Sequence, residues 1–227
     1  MIATGRARVG PFEENLTRKR RKARALSLLA QRDLDGIRSW AGREGNAMEF
    51  LLQLVSHRDA LVRWRAVEGL GVAAAVRAVE SEESVRERLR RLVWSMNHES
   101  GNAIWMAPDA AGEIMTGVPS LAGEFSRILA SFINLEPFVE GVHRAVARIA
   151  RVDPAPVAYL APYLEHALSR PEAGIRAHCA LALGRVDPAR IAGIREKLRG
   201  DDASLDIYDR SSGELVETTV GRIVLSM

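Results

Sequence analysis

Residues 59–71 read DALVRWRAVEGLG, and this stretch decides the fold. Asp59 stands where a helix wants its N-cap, ahead of a run without proline. Val62, Ala66 and Leu70 follow at i, i+4 and i+8, which places them on one face of the helix. Ala66 carries only a methyl group in the middle of that face, and Gly71 comes five residues later. Small residues there let a second helix cross close by.

The pattern returns along the chain. Ala107 to Gly112 (IWMAPDAAGE) and Cys179 to Gly184 (IRAHCALALG) are clear copies, Ala145 to Ala150 is degenerate, and Ala25 to Ala30 is weaker. The anchors Ala25, Ala66, Ala107, Ala145 and Cys179 lie 34 to 41 residues apart. Arrays built from helix pairs recur at about 33–47 residues. The expected fold is therefore all-α, an α-solenoid of about five antiparallel helix pairs. Its domain would span residues 16–200, after a flexible arm at 1–15.

The prolines punctuate this array: Pro119, Pro137, Pro171 and Pro188 are each expected to open a helix. Asn46 is the expected cap of the helix that follows it. Residues 59–79 and 82–97 read as two separate helices. The tail at 201–227 changes character. LDIYD and ELVETTV flank a Ser-Ser-Gly turn and read as a β-hairpin capping the open end of the array, against the alternative of a disordered tail.

The segments at 59–71 and 171–185 (PEAGIRAHCALALGR) resemble HEAT repeats, of the sort also called phycobilisome-lyase HEAT-like repeats. The resemblance covers most of residues 20–199. It implies a right-handed superhelix of antiparallel helix pairs, and it implies no chemistry, because the family's signature residues are structural. Residues 90–114 depart from the plain repeat, being richer in Trp, Asn, His and Glu than packing requires.

Composition narrows the function classes. The formal net charge of +3 is too small to argue for nucleic acid by itself. Lysine occurs only at 19, 22 and 197, so the basic residues are nearly all arginine. A single cysteine, Cys179, excludes an intramolecular disulfide. It occupies the small packing slot, so it reads as a buried hydrophobe rather than a catalytic or pigment-linked thiol. No apolar run reaches the ~18 residues of a membrane span, so the expected location is cytoplasmic, with no membrane partner. No P-loop, GxGxxG, GxSxG, paired CxxC, HxxxH or HExxH occurs, and neither a cofactor nor a metal is expected.

If the second helix of each pair lines the groove, spacing nominates its residues. Trp64, Trp105 and His143 fall two positions before their anchors. Glu68 and Asp109 fall two after, and Glu113 six after. Trp64–Glu68 and Trp105–Asp109–Glu113 would make an aromatic and acidic patch. The second half offers a basic one, from His143, Arg144, Arg151, Arg176 and Arg185. The turn holding Asn97, His98 and Glu99 reads either as part of the site or as a capping loop. The basic run Arg18–Arg24 reads as a partner contact or as a solvated helix face.

The expected function is a non-catalytic scaffold. Its groove would hold a protein segment, anchored by the Trp residues, with the acids favouring a cationic partner. Two alternatives stand beside it: a nucleic-acid binder resembling the HEAT-like alkylpurine DNA glycosylases, and a bilin lyase.

Overall fold

A computed structural model describes residues 11–97 and 104–227, with side chains from residue 17 onward. The helices run in the order α1 (Pro11–Ala30), α2 (Leu34–Arg43), α3 (Ala47–Leu54), α4 (Ala60–Trp94), α5 (Ala107–Gly117) and α6 (Ala122–Ala130). They continue as α7 (Val139–Val152), α8 (Ala161–Ala167), α9 (Ala173–Val186) and α10 (Pro188–Arg199). A hairpin, β1 (Ser204–Asp209) and β2 (Glu214–Thr219), and a short helix, α11 (Val220–Leu225), complete the chain. The chain is thus mostly helical with one two-stranded antiparallel sheet near its C-terminus. Among the described residues, no helix is long and apolar enough to cross a membrane.

Local chemistry sets most boundaries. The Asp59 carboxylate accepts from the Leu61 and Val62 N–H groups, capping α4 as its sequence predicts. Asp33 caps α2 through Gly36, and Asp187 caps α10 through Arg190. α4 is continuous in outline but breaks at Ser81, whose backbone leaves the helical region (φ −160°, ψ 96°). Ser81 Oγ accepts from Ser84 N–H at 3.2 Å, so a second helix starts there with its own cap. The two helices expected at 59–79 and 82–97 are the two limbs of α4.

Four local readings differ. Pro137 and Pro171 do not open helices, because α7 and α9 start two residues after them, behind Phe138 and Glu172; Pro119 opens a 3-10 turn and Pro188 opens α10. α1 begins at Pro11 rather than residue 16, because proline suits the first turn of a helix; residues 1–10 of the expected arm lie outside the described residues. Asn46 precedes α3 but does not cap it. Its φ/ψ of −100°/5° are not the extended values that aim a cap at the first turn, and its Oδ1 is buried without a partner. The sequence gives no hint of α11.

α4 packs on α5, α5 on α7 and α7 on α9, while α2 and α3 lie against α4, and α8, α10 and α11 against α9. The repeated small residues sit where these successive helices meet. A Cβ on Gly112 would lie 2.9 Å from the Ala145 Cβ, and one on Gly71 would lie 2.9 Å from the Glu113 carbonyl oxygen. Ala66, Ala107, Ala145 and Cys179 are all buried.

A second regularity accompanies them. Arg63 and Arg176, each three residues before its anchor, turn back onto the preceding connection. Arg63 donates to the carbonyls of Arg58 (3.0 Å) and His57 (2.8 Å), and Arg176 to those of Pro171 (2.7 Å) and Arg170 (2.8 Å). Both arginines thus reach carbonyls five and six residues back.

The hairpin pairs Ser204 with Thr219 through Asp209 with Glu214. Asp209 holds its turn, accepting from Ser211 N–H at 2.9 Å and from the Ser212 hydroxyl at 2.8 Å. Gly213 takes the left-handed conformation the turn requires (φ 75°).

Candidate functional site

The hairpin touches α9 through β1. It reaches back to α4, 140 residues earlier in the chain. The Tyr208 ring stacks on Trp64, with centroids 5.8 Å apart and planes 4° from parallel. The Tyr208 hydroxyl donates to Glu68 Oε2 at 2.6 Å. Arg210, at the tip, pairs with Glu113 of α5 and lies 3.8 Å from Glu68. Arg65 donates to the Gly213 carbonyl (3.1 Å) and to Glu214 (2.7 Å), and also satisfies the last carbonyls of α1 at Leu29 and Ala30.

Arg32 locks the arrangement. Its guanidinium forks onto Glu68 at 2.8 and 2.9 Å and also donates to the Arg210 carbonyl. Its own backbone is left-handed (φ 49°), which a non-glycine residue adopts at a cost of about 1–2 kcal/mol. Such a conformation persists where its surroundings hold it, and here the buried Glu68 does so.

Next to this contact runs a ladder of ion pairs between successive helices. Arg144 of α7 forks onto Asp109 of α5 at 2.8 and 3.0 Å, and Arg148 reaches Glu113 at 2.6 Å. The Arg144 Cζ also lies 5.3 Å from the Trp64 ring centroid. Glu68, Asp109 and Glu113 are all buried, and a buried carboxylate persists only when paired. Burial pushes the Glu68 carboxyl up, but the hydrogen bonds from Arg32 and Tyr208, with the charges of Arg32 and Arg210, outweigh it and hold it below the usual carboxylate range. Burial raises Glu113, against the pull of Arg210 and Arg148. The Tyr208 hydroxyl is driven up by burial and by Glu68, so it stays a donor.

Between the helices and the hairpin lies a cavity of ≈ 790 Å³. Trp64, Asp109 and Glu113 line one side of it, and Arg148, Arg151 and Arg185 another.

The structure therefore brings Trp64, Glu68, Asp109 and Glu113 together. Trp105 is not with them. It is 73% exposed, in the turn before α5, because that helix starts only at Ala107, with Pro108 in its first turn. His143 is not with them either. It is fully buried, its Nδ1 2.7 Å from the Val139 carbonyl and its Nε2 3.4 Å from the Tyr163 hydroxyl. Arg144 lines the cavity in its place, since one residue turns a helix by about 100°. Asn97 is exposed at the end of a 3-10 turn, and His98 and Glu99 lie outside the described residues.

The acids do not form the free patch expected of them, because arginines from α7, from the α1–α2 turn and from the hairpin already consume their charge. Arg32, Arg148, Tyr208 and Arg210 escaped sequence reasoning. The one available signal was an aromatic and an arginine beside a turn, in a tail otherwise rich in Thr, Val and Glu. Cys179 is fully buried, its thiol pushed up to about 12 by burial. Among the described residues, no group of three His, Cys, Asp or Glu side chains is placed to hold a metal ion. Comparison with family models, curated proteins and solved structures finds no match.

Proposed function

We propose that this chain is a non-catalytic interaction module of the HEAT-repeat kind, an α-solenoid whose concave groove holds an extended protein segment. The repeat reading is supported by the series α4, α5, α7 and α9 and by small residues at each crossing. The matching Arg63 and Arg176 bonds add to it.

One observation carries the binding reading: the groove already holds an extended segment, which is the chain's own. Tyr208 fills the aromatic subsite on Trp64, and Arg210 fills the acidic one between Glu68 and Glu113. A rigid ring for shape and a paired arginine for direction are the usual anchors of such recognition. A partner segment that presents an aromatic residue and an arginine two positions on would use the same subsites, in competition with the hairpin. Nucleic acid has less support, because buried carboxylates and the hairpin occupy the surface that a phosphate backbone would track.

The test uses a labelled synthetic peptide of residues 204–219. It should bind a Tyr208→Ala/Arg210→Ala variant, whose own hairpin has lost its anchors, and bind wild type far more weakly. Adding Trp64→Ala should abolish the binding. A peptide that ignores the opened groove, or binds equally without Trp64, would sink the reading.

A further inference from the structure

The cavity has two chemically different sides. Where α4 and α5 line it, every carboxylate is paired. Where α7, α9 and α10 line it, Arg144 and Arg148 take part in those pairs, but Arg151, Arg185 and Arg195 do not. Among the described residues, Arg151 and Arg185 make neither an ion pair nor a hydrogen bond. Arg195 gives one N–H to the Val224 carbonyl at 3.3 Å, while its Nε is buried without a partner.

The sequence spacing aims these groups inward. Arg144, Arg148 and Arg151 follow at i, i+4 and i+7 on α7, and His178, Leu181 and Arg185 at i, i+3 and i+7 on α9. Most acids that share the lining are committed elsewhere. Glu196 pairs with Arg199, and Asp209 holds its own turn. Among the described residues only Asp206 remains uncommitted. Three guanidiniums without counter-charge thus face one such carboxylate.

We propose that this side of the cavity binds a small organic anion. Arg151, Arg185 and Arg195 would hold its phosphate or carboxylate head, and Leu181, Ile191 and Ile223 its apolar body. Guanidiniums present planar N–H forks that match either oxyanion, and Arg195 Nε is a buried donor that an anion would satisfy. The volume of ≈ 790 Å³ falls in the range of about 300–1,000 Å³ typical of small-molecule sites. The hairpin and α11 wall the cavity, which suits a small molecule better than a polymer. This goes beyond segment binding, because the head-group arginines are not those that hold Tyr208 or Arg210.

The probes are 2-naphthyl phosphate, 2-naphthoate and neutral 2-naphthol, titrated calorimetrically into the full chain at low salt. Both anions should bind and the alcohol should not, and their ranking tells which head the site prefers. Arg151→Gln/Arg185→Gln changes two exposed, unpaired side chains, so the fold should persist. The affinity should fall by about tenfold or more, the loss expected for charged hydrogen bonds. Arg90→Gln/Arg91→Gln, on the outer face of α4, should leave it unchanged. Three results would each overturn the proposal: no binding of either anion at millimolar concentration, equal binding of 2-naphthol, or unchanged affinity in the Arg151/Arg185 variant.

Discussion

Replacing Glu68 by glutamine should release the hairpin while the helices stay folded. Glu68 accepts two bonds from Arg32 and one from Tyr208, at 2.9, 2.8 and 2.6 Å. Hydrogen bonds to a charged group contribute about 1.5–3 kcal/mol each. Glutamine keeps one acceptor oxygen and turns an NH₂ toward donors that need acceptors. The Arg32 side chain is 23% exposed, so water recovers part of what it loses. The expected loss is about 3 kcal/mol, the lower end of the roughly 3–5 kcal/mol for breaking a buried ion pair. It falls on the hairpin's docking equilibrium, which shifts toward the open state by about a hundredfold.

An isolated two-stranded hairpin is marginal in water, so undocking should expose its ladder to solvent. Native-state hydrogen exchange reads this directly. Amides of β1 and β2 should exchange faster in Glu68→Gln, while those of α5 and α7 hold their rates. Tyr208→Phe removes one donor, keeps the ring on Trp64, and should show a smaller effect of about 1–2 kcal/mol. Unchanged hairpin exchange in Glu68→Gln would refute the reasoning, and so would equal acceleration in α5 and α7.

Other consequences are accessible to standard measurements. Gly112→Ala puts a Cβ 2.9 Å from the Ala145 Cβ and 3.0 Å from its Cα. The overpacking cost of about 1–3 kcal/mol should exceed the helix-propensity gain of about 1 kcal/mol. Gly193→Ala, in open space on α10, should instead stabilise by about 0.5–1 kcal/mol, and denaturant titration of both variants separates the signs. Stability should fall on acidification in two stages. His178 is pushed down to about 4 by burial and by Arg144, against 6.5 when unfolded, so between those values the unfolded chain gains a proton that the folded one refuses. Glu68 is held below its ordinary 4.5, so its contribution is present above that pH and is lost as the pH falls further. Denaturation midpoints measured against pH should decline from about 6.5, and His178→Gln should make the upper stage shallower, leaving the share of His143, which burial also lowers. Glu113, raised by burial, works in the opposite sense at lower pH. A level profile down to pH 5 would contradict the decline. The Cys179 thiol should stay inert to Ellman's reagent in the native protein and react once on unfolding.

Much of the fold was legible because it is local. Asp59 and Asp187 cap helices through groups two or three residues away, and Pro188 opens α10. Small anchors recur because helices must approach there, and the Asp209 turn closes on its own serines. Trp64, Glu68, Asp109 and Glu113 were nominated by spacing and do converge.

What lay beyond the sequence was every contact fixed by rotation or by distance along the chain. A helix turns by about 100° per residue, so an alignment one position out nominated His143, whereas Arg144 lines the cavity. Trp105 fell out because α5 starts only at Ala107, two residues beyond it, with Pro108 in its first turn. Above all, nothing local to Tyr208 or Arg210 says that they lie on α4 and α5. That docking depends on complementary charge and ring geometry, which the helices present only once packed. The sequence by itself determined most of the helices, their small crossing points and the hairpin; the tertiary structure alone decided that the hairpin docks on α4 and α5, because buried carboxylates select partners by position in space and not along the chain.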